Sequence, residues 1–381
     1  MGKDKMQPSI FDELFVLELA NNHWGKLARG LKIIDEFGDV VSSNGVKAAV
    51  KLQFRDVDSF VHKDHRHRDD VRYIKKTLAT KLEWEDLRTM VEAVRAHGMV
   101  TMTTAFDELS VDKAVEFGVD ILKIASSDIR DRRLLRKIAS ARKPVIASTG
   151  GSSLRDTDEL VAFFAAHNIP FALNHCVSIY PSEDNELDLN QIDFLRARYP
   201  DITVGFSTHE MTDWSTSILI AYGKGARTFE RHIDIDHDGV PVSPYCTLPH
   251  QADAWFKAFR KAKEMCGGPG DRKRVPPEKE VRYLDQLVRG VYATRDLPAG
   301  HVLSEEDIYM AVPLNHGQIS VREFTAGERL RTAVFHDEAV LLRDIDSDYA
   351  HDLVLQRLVQ DRGVPPQPDI QAPRLKRAAA E

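Results

Sequence analysis

The sequence predicts an α/β protein, a closed (β/α)8 TIM barrel followed by a small second unit. Three observations predict it. Short apolar runs alternate with longer amphipathic stretches from residue 14 to about 263, the runs number eight, and a punctuated stretch from Gly267 to Pro277 ends the pattern. Such alternation is the signature of repeated βα units around a parallel sheet. Eight units in about 250 residues match a closed barrel, whose catalytic groups sit at the C-terminal strand ends.

The runs are 14–19, 48–54, 99–104, 121–124, 145–148, 171–175, 203–207 and 228–232, with helix-like sequence such as 27–37 and 87–96 between them. The rival, an open doubly wound sheet, usually has a Gly-rich phosphate turn after its first strand. Here Asn21-Asn22-His23-Trp24-Gly25 follows instead. Residues 267–284 read as a linker. A small domain over 285–346 opens with a strand-like run at 288–294, turns at Leu297-Pro298-Ala299-Gly300, and has acids in a first helical turn at Ser304-Glu305-Glu306-Asp307. From 347 to 381 a helical patch at 350–358 gives way to Pro365, Pro366, Pro368 and Pro373, which reads as a mostly flexible tail. The barrel domain is then 1–266.

Composition narrows the function classes. Lys and Arg total 52 against 59 Asp and Glu, a net charge of −7, so nucleic acid is not the expected partner. At 43% hydrophobic and 29% charged residues the chain is globular rather than disordered. Cys176, Cys246 and Cys266 fit neither a disulfide framework nor a thiolate zinc site, and read as reduced thiols of a cytoplasmic protein. The first 13 residues hold no apolar leader core and no run approaches ~18 apolar residues, so neither secretion nor a membrane span is expected.

A buried parallel strand should be apolar, so each polar residue near a strand end needs a reason. In order they are Glu18, Asn22 and His23, Lys51 and Gln53, Thr103 and Thr104, Lys123 with Ser126, Ser148 and Thr149, His175 with Ser178 and Tyr180, Ser207 with His209, and Glu230 with His232. So many at corresponding places argue for one shared site rather than scattered satisfied core groups. Lys51 and Lys123, with hydroxyls at Thr104, Ser126, Ser148, Ser178, Tyr180 and Ser207, make a pocket for a small dianion such as a phosphate-bearing carboxylate. His209 and His232, on neighbouring strands, could hold one divalent metal with water or substrate completing the shell; as an isolated pair they would read as structural histidines. Glu18 is a candidate acid or base, its alternative being a salt bridge to one of the lysines. The charged stretch 62–68 reads as a solvated loop able to act as a lid. Tryptophans 84, 214 and 255 read as helix packing, whereas Trp24 could line the site.

These motifs resemble the sialic acid synthases and related nonulosonic acid synthases. The resemblance spans Phe15 to about Ile345 and rests on seven ordered matches, among them Glu18-Leu19-Ala20-Asn21-Asn22-His23-Trp24-Gly25, Leu122-Lys123-Ile124-Ala125-Ser126 and Val204-Gly205-Phe206-Ser207-Thr208-His209. The small domain resembles the antifreeze-like SAF domain of those synthases. The resemblance implies a phosphoenolpyruvate site on Lys51, Thr104, Lys123, Ser126, Ser148, Ser178, Tyr180 and Ser207. It also implies acceptor contacts at Asn22 and Gln53, Mn2+ or a similar ion on His209 and His232, proton transfer by Glu18, and a domain-swapped homodimer. The reaction implied is condensation of phosphoenolpyruvate with a sugar aldehyde to a 2-keto-3-deoxy acid and phosphate. The acceptor side departs from the family: the stretch Asp238-Gly239-Val240-Pro241-Val242-Ser243 has no acid at the matching place, and Val312 stands where the SAF domain usually has an arginine. An acceptor other than N-acetylmannosamine is therefore expected. The alternatives are a metal-dependent pyruvate aldolase and a catalytically silent sugar-binding scaffold.

Overall fold

A computed structural model describes residues 9–268, 270–347 and 351–365. Eight strands, β1 (Leu14–Glu18), β2 (Ala48–Phe54), β3 (Val100–Ala105), β4 (Ile121–Ile124), β5 (Val145–Ser148), β6 (Phe171–Cys176), β7 (Thr203–Thr208) and β8 (Thr228–His232), close in sequence order into a parallel barrel. β8 pairs back onto β1, with Glu18 opposite His232. The ring of helices comprises α1 (Leu27–Asn44), α2 (Val57–Phe60), α3 (Arg72–Ala79), α4 (Trp84–Ala96), α5 (Glu108–Glu116), α6 (Arg132–Ser140), α7 (Leu154–Ala166), α8 (Asn190–Arg198), α9 (Thr216–Gly223) and α10 (Pro249–Cys266).

Local chemistry starts and stops these helices. Asp107 and Asp131 accept backbone N–H groups at the starts of α5 and α6, and Ser153 with Asp156 forms a capping box on α7. Gly45 ends α1 in the left-handed region at φ 58°. The outward face of the strands packs on the helices. Phe15 of β1, fully buried, meets Trp255, Phe256 and Phe259 of α10 edge-on at 4.7–5.0 Å between ring centres.

The inward face is layered, and the layering positions the site. Leu14, Val16, Ala49, Met102, Ile121, Ile146 and Ala172 fill the lower barrel with Phe11 beneath them. Because side chains two apart on a strand share a face, the next inward layer is Glu18, Lys51, Thr104, Lys123, Ser148 and Asn174, joined by Ser207 and Glu230. Apolar floor thus gives way to polar mouth within one step. Gly205 is required in the lower layer, since a Cβ there would fall 1.8 Å from Thr228 Oγ1 and 2.3 Å from Asn174 Oδ1.

The chain divides between Gly267 and Gly268 into two compact units. In the second, α11 (Glu278–Asp285) interrupts the expected linker. β9 (Gly290–Ala293) pairs antiparallel with β10 (Ile308–Ala311), and β11 (Arg329–Leu330) with β12 (Ile345–Asp346). Their core includes Val291, Leu303, Ile319, Val340 and Ile345. The flexible tail expected from 347 is corrected for residues 351–365. α12 (Leu353–Asp361) places the fully buried Val359 in this core, and Arg362 beyond it donates to Glu323 Oε1 at 2.7 Å. The prolines that suggested disorder begin only at the last residue of this segment, Pro365, and the expectation for 366–381 lies outside the described residues.

Candidate functional site

A cavity of about 630 Å³ opens at the C-terminal ends of the barrel strands. Glu18, Lys51, Gln53, Thr104, Lys123, Ser126, Ser148, Ser178, Tyr180, Ser207, His209 and His232 all line it. Twelve of the thirteen residues to which the sequence assigned a catalytic, substrate or metal contact therefore converge on one space.

The charge arrangement inside differs from the expected pair of free ammonium groups. Lys51 Nζ donates to Glu230 Oε1 at 3.0 Å, Lys123 Nζ lies 3.0 Å from both Glu230 oxygens, and Ser207 Oγ donates to Glu230 Oε1 at 3.1 Å. Lys51 also pairs with Glu18, whose Oε1 accepts from Gln53 Nε2 at 2.9 Å. Two buried cations are thus met by two buried carboxylates, because an unpaired ammonium at this depth would be too costly. Burial works to raise the Glu230 acid, but Lys123 and Lys51 outweigh it and hold the carboxyl far below its ordinary range. Burial pulls Lys51 down to about 7 against the opposing field of Glu230.

The hydroxyls stand ready for an incoming acceptor of hydrogen bonds. Ser148 Oγ is buried with no partner among the described residues. Ser126 Oγ accepts the Gly150 N–H at 3.1 Å. A Cβ at Gly150 would lie 2.1 Å from Ser178 Oγ and 2.9 Å from Ser126 Oγ, so only glycine lets these two hydroxyls approach the backbone between them.

His209 and His232 face one another with ring centres 5.3 Å apart. The His209 Nδ1 lies 2.9 Å from the Val177 carbonyl. A carbonyl only accepts, so Nδ1 carries the hydrogen and Nε2 presents a lone pair, the usual arrangement behind a ligating imidazole. Burial brings His209 down to about 4 and His232 well below its ordinary value, leaving both rings neutral near pH 7. Among the described residues no group of three or more His, Cys, Asp and Glu is placed to hold a metal. The donors available to an ion here would be two neutral imidazoles, a set that suits a borderline divalent cation. Tyr180 packs on His209 at 3.9 Å, and Tyr245 lies 5.2 Å from His232.

Asn22, expected to touch an acceptor, lies outside the cavity. Its amide donates to the Ile233 carbonyl at 2.8 Å and meets Cys246 Sγ at 3.5 Å, which ties the loop after β1 to that after β8. Arg29 of α1 reinforces the tie, donating to Asn22 O at 2.8 Å and to Asp234 Oδ1 at 2.7 Å. Trp24 is also outside, with the Lys76 ammonium 5.7 Å from its ring centre.

Sequence pattern had put Glu230 in the shared site without a specific role, and had not singled out Arg55, Phe60, Tyr73, Phe106 and Asp128, which form part of the remaining wall. The signal was present in part. Lys51, Gln53 and Arg55 are spaced by two, as are Glu230 and His232, so the strand period itself carries Arg55 and Glu230 to the inward face. Asp128 has Oδ2 buried without a partner, and burial raises its carboxyl.

The fold and its mouth define a (β/α)8 enzyme whose strand ends gather lysines, hydroxyls and paired imidazoles in one chamber. The model of the NeuB family matches residues 40–269 and that of the SAF domain residues 288–345, and the chain belongs to the NeuB family of carbon–carbon bond-forming transferases. A solved structure described as spore coat polysaccharide biosynthesis protein E of Chromobacterium violaceum is 34% identical, covers 88% of this chain and 100% of its own, and superposes with a TM-score of 0.84. The N-acetylneuraminate-9-phosphate synthase of Drosophila melanogaster is 26% identical over 89% of this chain and 97% of its own length. The N,N'-diacetyllegionaminic acid synthase of Legionella pneumophila is 28% identical over 62% of this chain and 66% of its own. These last two relatives are nonulosonic acid synthases, and no helix among the described residues is long and apolar enough to cross a membrane.

Proposed function

We propose that this enzyme condenses phosphoenolpyruvate with an aldehyde sugar other than N-acetylmannosamine, giving a 2-keto-3-deoxy acid and phosphate. The observation that carries the reading is the convergence of Lys51, Lys123 and the hydroxyls of Thr104, Ser126, Ser148, Ser178 and Ser207 beside two neutral imidazoles in one cavity. The hydroxyls and the Gly150 region bind the phosphate and carboxylate oxygens of phosphoenolpyruvate, and the lysines hold the charge balance around them. Its C3 attacks the aldehyde carbon, forming the new C–C bond, and the aldehyde oxygen takes a proton. Water adds at C2, giving its hydroxyl to that carbon and one proton towards the aldehyde oxygen; the C2–O bond to phosphate then breaks, the hydroxyl becomes the keto group, and its proton leaves with the phosphate. Glu18, beside Lys51 and Gln53, is placed to pass the proton between water and the aldehyde oxygen. A divalent ion such as Mn2+ on His209 and His232 would supply Lewis-acid polarisation of the aldehyde carbonyl.

Divergence at 238–243 and Val312 supports a different acceptor. From the family resemblance we propose the same swapped homodimer, which sedimentation would report as twice the chain mass. The reaction is tested by phosphate release from phosphoenolpyruvate over an aldose panel with Mn2+ present. Release that depends on both an aldose and a divalent ion is expected. Dominant turnover of N-acetylmannosamine would overturn the acceptor reading, and consumption of free pyruvate without phosphate release would overturn the chemistry.

A further inference from the structure

One cation that lines the chamber makes no direct ion pair among the described residues. Arg55 follows β2, two residues beyond Gln53 and four beyond Lys51, so it stands about 13 Å further along the strand direction than the floor lysine if the chain stays extended. Its guanidinium lies 3.7 Å from the ring centre of Phe106 and 5.8 Å from those of Phe60 and Tyr73. Its Nε–H is buried and hydrogen-bonded to nothing among the described residues. No carboxylate of the described residues comes within 4.0 Å of it. Of the groups whose field reaches it besides the Tyr73 hydroxyl, Asp107 accepts the backbone N–H groups of Asp56 and Ser110 at 2.8 and 2.7 Å, and Asp128 accepts from Ser127 Oγ at 2.9 Å on Oδ1 while its Oδ2 stays buried without a partner among the described residues. Lys51 and Lys123, by contrast, are matched by Glu18 and Glu230. Among the described residues that line the chamber, Arg55 is therefore the cation outside the ion-pair network of the floor, and it shares its wall with the carboxylate of Asp128.

We propose that Arg55 reads the acceptor and that the acceptor aldehyde carries a negatively charged group, a phosphate monoester or a carboxylate, remote from its carbonyl. This rests on the condensation reading above and adds to it the charge class of the second substrate. The aromatic faces beside Arg55 suit the C–H face of a sugar, and a planar guanidinium fork held on Phe106 is preorganised for two oxygens of one anion.

The test uses the full chain with phosphoenolpyruvate and Mn2+, and compares mannose, mannose 6-phosphate and mannuronate by phosphate release. At least one charged sugar is expected to exceed mannose about tenfold or more in kcat/KM, the better of the two identifying phosphate or carboxylate. Arg55→Gln should lower the charged-to-neutral preference about tenfold through the acceptor KM, with Arg55→Lys retaining part of it. Mannose equal to or better than both charged sugars would overturn the inference and leave the condensation reading standing. So would an Arg55→Gln effect confined to the KM of phosphoenolpyruvate. If none turns over, calorimetric titration of each sugar into the phosphoenolpyruvate-saturated protein decides. Tighter binding of a charged sugar, lost in Arg55→Gln, supports the inference, and equal binding overturns it. Failure of phosphoenolpyruvate itself to bind would sink the condensation reading and this inference with it.

Discussion

Removing the Glu230 carboxylate would leave Lys51 and Lys123 buried with only Glu18 between two positive charges. Breaking one side of such a buried network costs about 3–5 kcal/mol, so Glu230→Gln should lower the urea midpoint by that equivalent and cut phosphate release at least about 100-fold. Unchanged stability would show that the lysines do not depend on it. Gly150→Ala is a sharper probe of the hydroxyls. Its methyl meets Ser178 Oγ and Ser126 Oγ, the flexible ends of side chains, so the fold should persist while both hydroxyls move. We expect the KM for phosphoenolpyruvate to rise about tenfold, the loss of roughly one hydrogen bond to a charged group, with a melting temperature within a few degrees of the parent. The individual site residues were legible where they break an apolar strand, as Lys51 and Lys123 do. Their pairing was not, because Glu230 lies 107 residues from Lys123 and only barrel closure brings the two together.

At the scale of elements, the eight strands were legible almost to the residue, since parallel strands covered on both faces read as short apolar runs. The position of Arg231 shows what was not. It lies between Glu230 and His232 on β8, so alternation turns it outward, and its side chain is 1% exposed beside Glu210 at 2%. It donates to the Glu210 carboxylate and carbonyl and to Thr247 Oγ1 at 3.0 Å, tying the loop after β7 to β8 and the segment beyond it. A charged residue in a strand reads as a site residue until closure shows which face it takes. Arg231→Met keeps the volume but strands the Glu210 carboxylate with the Thr208 and Ser217 hydroxyls. Destabilisation of about 3–5 kcal/mol is expected, measured by urea unfolding. A loss below 1 kcal/mol would mean that Glu210 finds water or takes up a proton. α12 was placed three residues early and its anchoring was invisible, because Val359 and Arg362 gain meaning only from Gly317, Gln318 and Glu323 of the preceding fold.

For the whole molecule, the net charge of −7 says little about behaviour in acid, where the buried histidines of the barrel matter more. Burial, with help from Lys76 and Arg55, lowers His23 to about 4, and its Nδ1 accepts the Gly25 N–H at 3.1 Å. Protonation there would remove that acceptor. Burial also lowers His175, although its bond to the Leu187 carbonyl opposes the shift. A histidine depressed in the folded state is neutral there while its unfolded counterpart, near 6.5, binds a proton. The unfolded state therefore holds more protons between pH 6.5 and 4, and stability must fall as the pH drops through that window. The full contribution is present above pH 6.5 and is lost progressively towards 4. For His23 alone the loss between pH 7 and 5 is about 2 kcal/mol by this linkage. Urea unfolding at the two pH values should show at least that decrease, with net proton uptake on unfolding near pH 5. His23→Gln, which keeps a polar group of similar reach and removes the titration, should flatten the profile by a comparable amount. A profile equally steep in the variant would place the acid sensitivity of the barrel elsewhere.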